Sequence, residues 1–285
     1  MINRLAIIGV GLIGGSLALA LRQAGYVGEI IGTSRREPHL QQAKDLGVID
    51  GYELDMANAV AGADMVFISV PLGAMQAVFE AIKPAVNNHT IITDGGSAKG
   101  CVVRDAEAVF GGLPAGLVPG HPIAGTEQSG VAAAFPELYR DRRVILTPLD
   151  TTSPEALASV RGMWQAAGAQ VEEMSVQHHD EVLAATSHLP HMLAFGLVDS
   201  LARMKDNDEI FRYAAGGFRD FTRIASSDPV MWRDICLYNR EAVLKMTQSY
   251  HQDLDEMMQA IEQGDGDTLL DIFSRAKSAR DRFCG

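Results

Sequence analysis

The sequence is short of cysteine, of aromatic residues and of positive charge, and each shortage removes a class of protein. Cys101, Cys236 and Cys284 are the only cysteines in 285 residues. Odd in number and far apart, they make neither a disulfide framework nor a Cys-x-x-Cys metal motif, and a reducing cytoplasm suits them. Lys and Arg number 24 against 36 Asp and Glu, a formal net charge of −12, which argues against nucleic acid or an anionic membrane as partner. No stretch is long and apolar enough to span a bilayer. The uncharged run from Leu5 to Leu21 behind Arg4, with Ala18-Leu19-Ala20 near its end, imitates a signal peptide. Gly9, Gly11, Gly14 and Gly15 break that run at spacings with a better explanation. Internal repeats and low-complexity segments are also lacking. What is present is 47% hydrophobic and 21% charged residues, the composition of a soluble globular protein, in a length that suits two domains.

The first half alternates strands and helices. Leu5-Ala6-Ile7-Ile8 is a short apolar run expected of a strand buried on both faces. It feeds Gly9-Val10-Gly11-Leu12-Ile13-Gly14-Gly15 and then a helical stretch from Ser16 to Ala24. This is the dinucleotide-binding pattern G-x-G-x-x-G between the strand and helix it requires. Gly9 permits the turn, Gly11 lets the backbone approach a pyrophosphate, and Gly14 lets helix and strand pack closely. Leu12 and Ile13 belong to the same turn, whose helix N-terminus supplies N–H groups for phosphates. A second strand, Glu29–Gly32, leads to Thr33-Ser34-Arg35-Arg36, with no carboxylate before Glu37. NAD-binding sites of this kind carry an acidic residue there for the ribose hydroxyls. Ser34, Arg35 and Arg36 suit a 2′-phosphate instead, so NADP is the preferred cofactor and NAD the second candidate. The alternative is that these are ordinary solvated arginines.

A third strand runs from Asp64 through Val70 to Pro71, and a fourth from Thr90 to Asp94, ending in Gly95-Gly96-Ser97-Ala98-Lys99. Open parallel sheets bind ligands at the carboxyl ends of their strands, so Val70, Pro71, Ser97 and Lys99 are expected to face the crevice of the glycine loop. Strands over 144–148 and 170–174, with a helix from Pro154 to Ala167 between them, complete the sheet domain near residue 174. Val118 to Glu127 reads V-P-G-H-P-I-A-G-T-E. Its prolines and glycines forbid helix or central strand, and hold His121 rigidly. With an unperturbed pKa of about 6.5, that histidine is either a proton partner or a solvated turn residue.

From Val176 the periodicity is helical: helices are expected over 176–186 and 189–205, and a last one over 268–283. Ser227-Asp228-Pro229 is a helix start signal. The stretch 230–263 has neither Gly nor Pro, so it predicts one helix of about 50 Å at 1.5 Å per residue. A helix that long, studded with apolar residues, predicts pairing with a second subunit. His178, His179, His188 and His191 cluster in this half. His188 and His191 are spaced to share a helix face, but no carboxylate or cysteine completes a metal site.

Taken together, G-x-G-L-I-G-G-S at 9–16, D-G-G-S-A-K at 94–99, G-H-P-I-A-G-T-E at 120–127, S-H-L-P-H at 187–191 and G-G-F-R-D-F-T-R-I-A at 216–225 resemble the prephenate/arogenate dehydrogenase family of tyrosine biosynthesis, in order and over nearly the whole chain. The resemblance implies an α/β fold, a Rossmann-like dinucleotide-binding domain over 1–174 followed by an all-α dimerisation and substrate domain over 175–285. It implies oxidative decarboxylation of a cyclohexadiene: hydride leaves the hydroxyl-bearing ring carbon, CO₂ leaves the opposite side, and the ring becomes aromatic. Driven by aromatisation, that reaction chiefly needs orientation and a partner for the hydroxyl proton. By resemblance His121 is that partner, Ser97 orients it, and Arg223 clamps a substrate carboxylate. His179, His188, His191, Thr126 and Glu127 line or close the pocket. His191 tilts the expectation toward prephenate rather than arogenate. No regulatory ACT domain beyond Gly285 and no chorismate mutase ahead of Met1 are expected, so any tyrosine inhibition would act at the active site. A β-hydroxyacid dehydrogenase would need a lysine on a helix after a glycine-rich turn, a setting that Lys205, Lys245 and Lys277 lack. A non-catalytic NADP-sensing protein has no use for His121, Ser97 and Arg223 together.

Overall fold

The computed structural model describes every residue except Glu127, Asp206 and Gly285. Two compact units make up the chain, Met1–Arg240 and Glu241–Gly285. In the first, strands and helices alternate: β1 (Ile2–Ile8), α1 (Leu12–Gln23), β2 (Val27–Thr33), α2 (Glu37–Asp45), β3 (Gly51–Tyr52), α3 (Met56–Val60), β4 (Met65–Ile68), α4 (Met75–Ile82), β5 (Ile91–Asp94), α5 (Gly100–Phe110) and β6 (Leu117–Val118). These six strands form one parallel sheet in the order β3-β2-β1-β4-β5-β6.

Period-two alternation explains why the central strands are apolar throughout. Leu5, Ile7, Met65 and Phe67 enter one core with Leu17, Leu21 and Trp164. Ala6, Ile8, Val66 and Ile68 enter the other with Phe79 and Val102. Helices therefore cover both faces. The order reverses between β1 and β4, and in doubly wound sheets that switch point is where a crevice opens beyond the carboxyl ends of the strands.

The following strands, β7 (Gly120–Pro122), β8 (Arg143–Leu146) and β9 (Gln170–Glu173), with α6 (Pro154–Ala166) between the last two, do not extend that sheet. They form a separate one, in the order β7-β8-β9. His121 thus lies in an edge strand, paired antiparallel with Ile145, rather than in an irregular loop. An edge tolerates Pro122, whose missing N–H has no interior partner to disappoint.

Helices α7 (Val176–Leu183), α8 (Leu189–Ala202), α9 (Asn207–Arg212), α10 (Gly216–Thr222) and α11 (Pro229–Tyr238) complete the first unit, and α12 (Arg240–Gln263) and α13 (Gly266–Cys284) follow. Between α7 and α8 the backbone widens into a π-helical turn, Ala184–His188, a local form often found at functional sites. The single helix expected over 230–263 is two helices. They are interrupted at Asn239, whose φ of −105° and ψ of 35° leave the helical region. Its buried amide nitrogen donates to the Asp180 carbonyl (2.9 Å) and to His188 Nδ1 (3.0 Å). Two interior acceptors outweigh helix propensity, which is a weak local preference. In the second unit, Leu254, Met258, Ile261, Leu270 and Phe273 are exposed along α12 and α13. Among the described residues no helix is long and apolar enough to cross a membrane.

Candidate active site

A cavity of about 380 Å³ opens at the switch point, lined by Gly9, Val10 and Gly11 after β1, Ser34 and Arg35 after β2, and Ser69, Val70 and Pro71 after β4. Gly9 has φ +95°, and a Cβ there would stand 2.2 Å from the Ser69 carbonyl oxygen. A Cβ on Gly14 would lie 2.5 Å from the Gly9 carbonyl oxygen, so helix and turn touch backbone to backbone. On Gly11 it would meet nothing: the turn is tight against the sheet and bare toward the cavity, the shape a pyrophosphate needs. Leu12 begins α1 and is buried in the core, and the Ile13 carbonyl accepts from Tyr139 Oη at 2.6 Å. Both support the turn from behind rather than line the cavity. Arg36 is the residue before α2 and shares backbone hydrogen bonds with Ser34 Oγ at 3.4 Å, whereas Arg35 reaches the cavity. His39 and Gln42 from α2 line it too. No short sequence pattern marked them; they follow from the helical turn after Arg36.

His121 is nearly buried, and a chain of polar groups begins at its ring. Its Nδ1 lies 2.9 Å from His179 Nε2, and His179 Nδ1 lies 2.8 Å from Asp180 Oδ1. The Asp180 carboxylate also accepts from the backbone N–H groups of Lys99 and Gly100, both at 2.8 Å, which caps the start of α5. Burial above all, then the charges of His179, Lys99 and His188, holds the His121 pKa well below the ordinary histidine value. Burial also lowers His179, against the opposing pull of Asp180. For Asp180 burial alone would raise the carboxyl, but the hydrogen bonds from His179, Lys99 and Gly100 prevail and lower it.

Beneath His121 sits a buried ion pair, Lys99 with Asp94. Lys99 Nζ also donates to the Gly120 carbonyl at 2.6 Å, while Asp94 Oδ1 accepts from the Gly120 N–H at 3.1 Å. The pair therefore grips both polar groups of the residue before His121. Lys99 is turned into the protein with no exposed surface, not toward the crevice as its position after β5 suggested. A buried cation must find its counter-charge.

The sequence model described as prephenate dehydrogenase, nucleotide-binding domain, matches residues 17–173, and that described as prephenate dehydrogenase, dimerization domain, matches 175–275. The chain belongs to the prephenate dehydrogenase family. It is similar to the cyclohexadienyl dehydrogenase of Zymomonas mobilis, 40% identical over 98% of this chain and 95% of that one. The prephenate dehydrogenase of Bacillus subtilis is 36% identical over 99% and 76%. Among solved structures, the prephenate dehydrogenase from A. aeolicus in complex with hydroxyphenyl propionate and NAD+ superposes with a TM-score of 0.93, at 38% identity and 99% coverage of both chains. The chain is thus a dehydrogenase, with a Rossmann-like α/β portion and a helical C-terminal portion.

The remaining residues expected for a dehydrogenase of this family separate into those near His121 and those elsewhere. The partner of His121 Nδ1 is His179. Ser97 is half-buried in the turn after β5, and its backbone lies beside His188. His188 is buried, and burial followed by the charge of His179 pushes its pKa down to about 4. With Asn239 donating to Nδ1, the proton of neutral His188 is on Nε2, on the side of the Ser97 backbone. His191 stacks on Trp232 with centroids 3.6 Å apart. Burial lowers its pKa, and the charge of Arg223 acts in the same direction, which brings Arg223, exposed at the end of α10, within electrostatic reach of that ring pair. Among the described residues no three His, Cys, Asp or Glu side chains are grouped to hold a metal ion. Thr126 is exposed and lines a second cavity with Arg140 and Arg142. Glu127 lies outside the described residues.

Proposed function

We propose that the chain oxidatively decarboxylates prephenate, or its amino counterpart arogenate, in tyrosine biosynthesis, giving 4-hydroxyphenylpyruvate or tyrosine. The observation that carries this reading is the buried, neutral His121, whose Nδ1 is occupied by His179 and whose Nε2 remains for a substrate proton. A nicotinamide dinucleotide, held by Gly9, Gly11 and the Ser34–Arg35 segment, supplies the hydride acceptor when bound. His121 takes the hydroxyl proton at Nε2. Ser97 contributes a hydroxyl in the turn beside it. Arg223 binds a substrate carboxylate, and the stacked His191 and Trp232 with His188 and Thr126 form the pocket wall. Glu127 closes it. The functional division falls near residue 174, and the helical portion after it pairs two subunits in the cytoplasm. Light scattering at micromolar concentration is expected to give twice the chain mass, and a clean monomer would refute the pairing.

Prephenate is the preferred substrate in this reading, because His191 is present. NADP is the preferred cofactor. Arg35 lines the cavity, and no carboxylate lies at the end of β2 to repel a 2′-phosphate. A charge-assisted hydrogen bond contributes about 1.5–3 kcal/mol. At a partly exposed site the low end applies, which is about tenfold in kcat/KM for NADP over NAD. Ser34→Asp is expected to reverse the ratio by repelling the phosphate and accepting from the ribose hydroxyls. Turnover of prephenate and arogenate with each cofactor tests the whole reading. A wild-type preference for NAD would defeat the cofactor assignment, and turnover of neither substrate would defeat the function.

A further inference from the structure

Asp180, like His121, lies outside the lining of the nucleotide cavity, and it terminates the hydrogen-bond chain that begins at His121. We infer that Asp180 is a positioning residue that sets, through His179, which ring nitrogen of His121 is free to accept the substrate proton. The inference rests on the proposed role of His121 and follows from donors and acceptors alone. An ionised carboxylate only accepts hydrogen bonds. Asp180 Oδ1, 2.8 Å from His179 Nδ1, therefore requires the proton of neutral His179 on Nδ1. The Nε2 of His179 is then a lone pair, and it faces His121 Nδ1 at 2.9 Å. Two lone pairs cannot bond, so neutral His121 carries its proton on Nδ1. Its Nε2 is left basic.

Three hydrogen bonds hold the carboxylate in this orientation. Asp180 is fixed on its other side by the N–H groups of Lys99 and Gly100, and its own carbonyl accepts from Asn239. A second imidazole tautomer at either histidine would leave a buried acceptor facing an acceptor or a donor facing a donor, a costly arrangement in the interior. When the substrate hydroxyl loses its proton, that proton bonds to His121 Nε2. The ring becomes an imidazolium whose Nδ1–H is held by His179, in turn held by the Asp180 anion. The titratable groups facing His121 are the Lys99 cation, paired with Asp94, and the two neutral histidines His179 and His188. Asp180 is the anion at the end of this chain, while the Lys99 ammonium is paired with Asp94. A carboxylate that fixes an imidazole tautomer in this way is worth several orders of magnitude in hydrolytic triads. Here it acts through one further ring, and a smaller effect is expected.

The test uses the full chain with its preferred substrate and cofactor. Asp180→Asn is expected to lower kcat by about ten- to a hundredfold, with KM for both ligands changed less than about twofold. The acid limb of the kcat profile is expected to move to lower pH, because removing the anion makes the imidazolium harder to form. Because Asp180 also caps α5, two further measurements guard against a folding defect. The ring-¹⁵N shifts of His121 in wild type are expected to report the Nδ1–H tautomer. His179→Gln, which keeps an acceptor for that N–H, is expected to retain more kcat than His179→Leu, which keeps none. Wild-type His121 in the Nε2–H form, or equal kcat in the two His179 variants, would overturn the inference. So would Asp180→Asn at full kcat while His121→Asn is inactive. Full kcat in both Asp180→Asn and His121→Asn would instead remove His121 from the chemistry.

Discussion

Replacing His121 with Asn is expected to lower kcat by about 10²- to 10⁴-fold, the range that a positioned general base contributes, with KM little changed. The substitution is a narrow one. Asparagine presents its amide near the position of imidazole Nδ1 and can still donate to His179, but it has nothing at the position of Nε2. Contacts to the bound substrate persist, so an interaction developed mainly in the transition state is what disappears, and kcat falls together with kcat/KM. The pH profile of the wild type follows from the direction of the His121 shift. Burial, with the charges of His179, Lys99 and His188, holds its pKa well below the ordinary value, and the working form is the neutral base. Activity is therefore fully developed at neutral pH, and its acid limb lies below the ordinary histidine range of about 6.5. Near-normal kcat in His121→Asn, measured at saturating substrate and cofactor, would remove this residue from the role of proton acceptor.

Lys99→Ala is expected to destabilise the fold by about 3–5 kcal/mol, the usual cost of leaving one member of a buried ion pair alone. Lys99 and Asp94 are both essentially without exposed surface. Removing the ammonium strands the Asp94 carboxylate and also leaves the Gly120 carbonyl without its 2.6 Å donor. Against a typical stability of about 5–15 kcal/mol, that is a large fraction. The lower end of β7 loosens with it, so activity is expected to fall even where the fold survives. Pairing Lys99→Ala with Asp94→Asn is expected to recover part of the loss, because no bare charge then remains. Urea denaturation of the wild type, Lys99→Ala, Asp94→Asn and the double variant measures both effects. A loss below about 1 kcal/mol, the level of a solvent-exposed pair, would mean that water reaches these groups.

His121 and Lys99 differ in how visibly they stand in the chain. His121 is conspicuous between Gly120 and Pro122, and chemistry could be assigned to it before any fold was known. Lys99 stands just as plainly in D-G-G-S-A-K, yet its position after a strand pointed to the ligand crevice, and the side chain turns the other way. Spacing along a strand predicts which face a residue occupies, but after the strand ends the direction depends on what lies across the turn. Here that is Asp94 and the backbone of Gly120.

The β1–turn–α1 nucleotide site, the parallel sheet and the change to helices after residue 175 are legible in the chain without its fold. Each rests on local causes: period-two burial on both faces, glycines where a Cβ would strike backbone within 3 Å, and helical spacing of apolar residues. Three outcomes needed the folded chain: β7, β8 and β9 leave the main sheet, the long helix breaks at Asn239, and His179 holds Nδ1 of His121. Those outcomes depend on partners far apart in the chain, 58 residues from His121 to His179, 81 from Lys99 to Asp180 and 51 from His188 to Asn239. A buried donor or acceptor must find its mate, and no periodicity says which distant residue that mate will be.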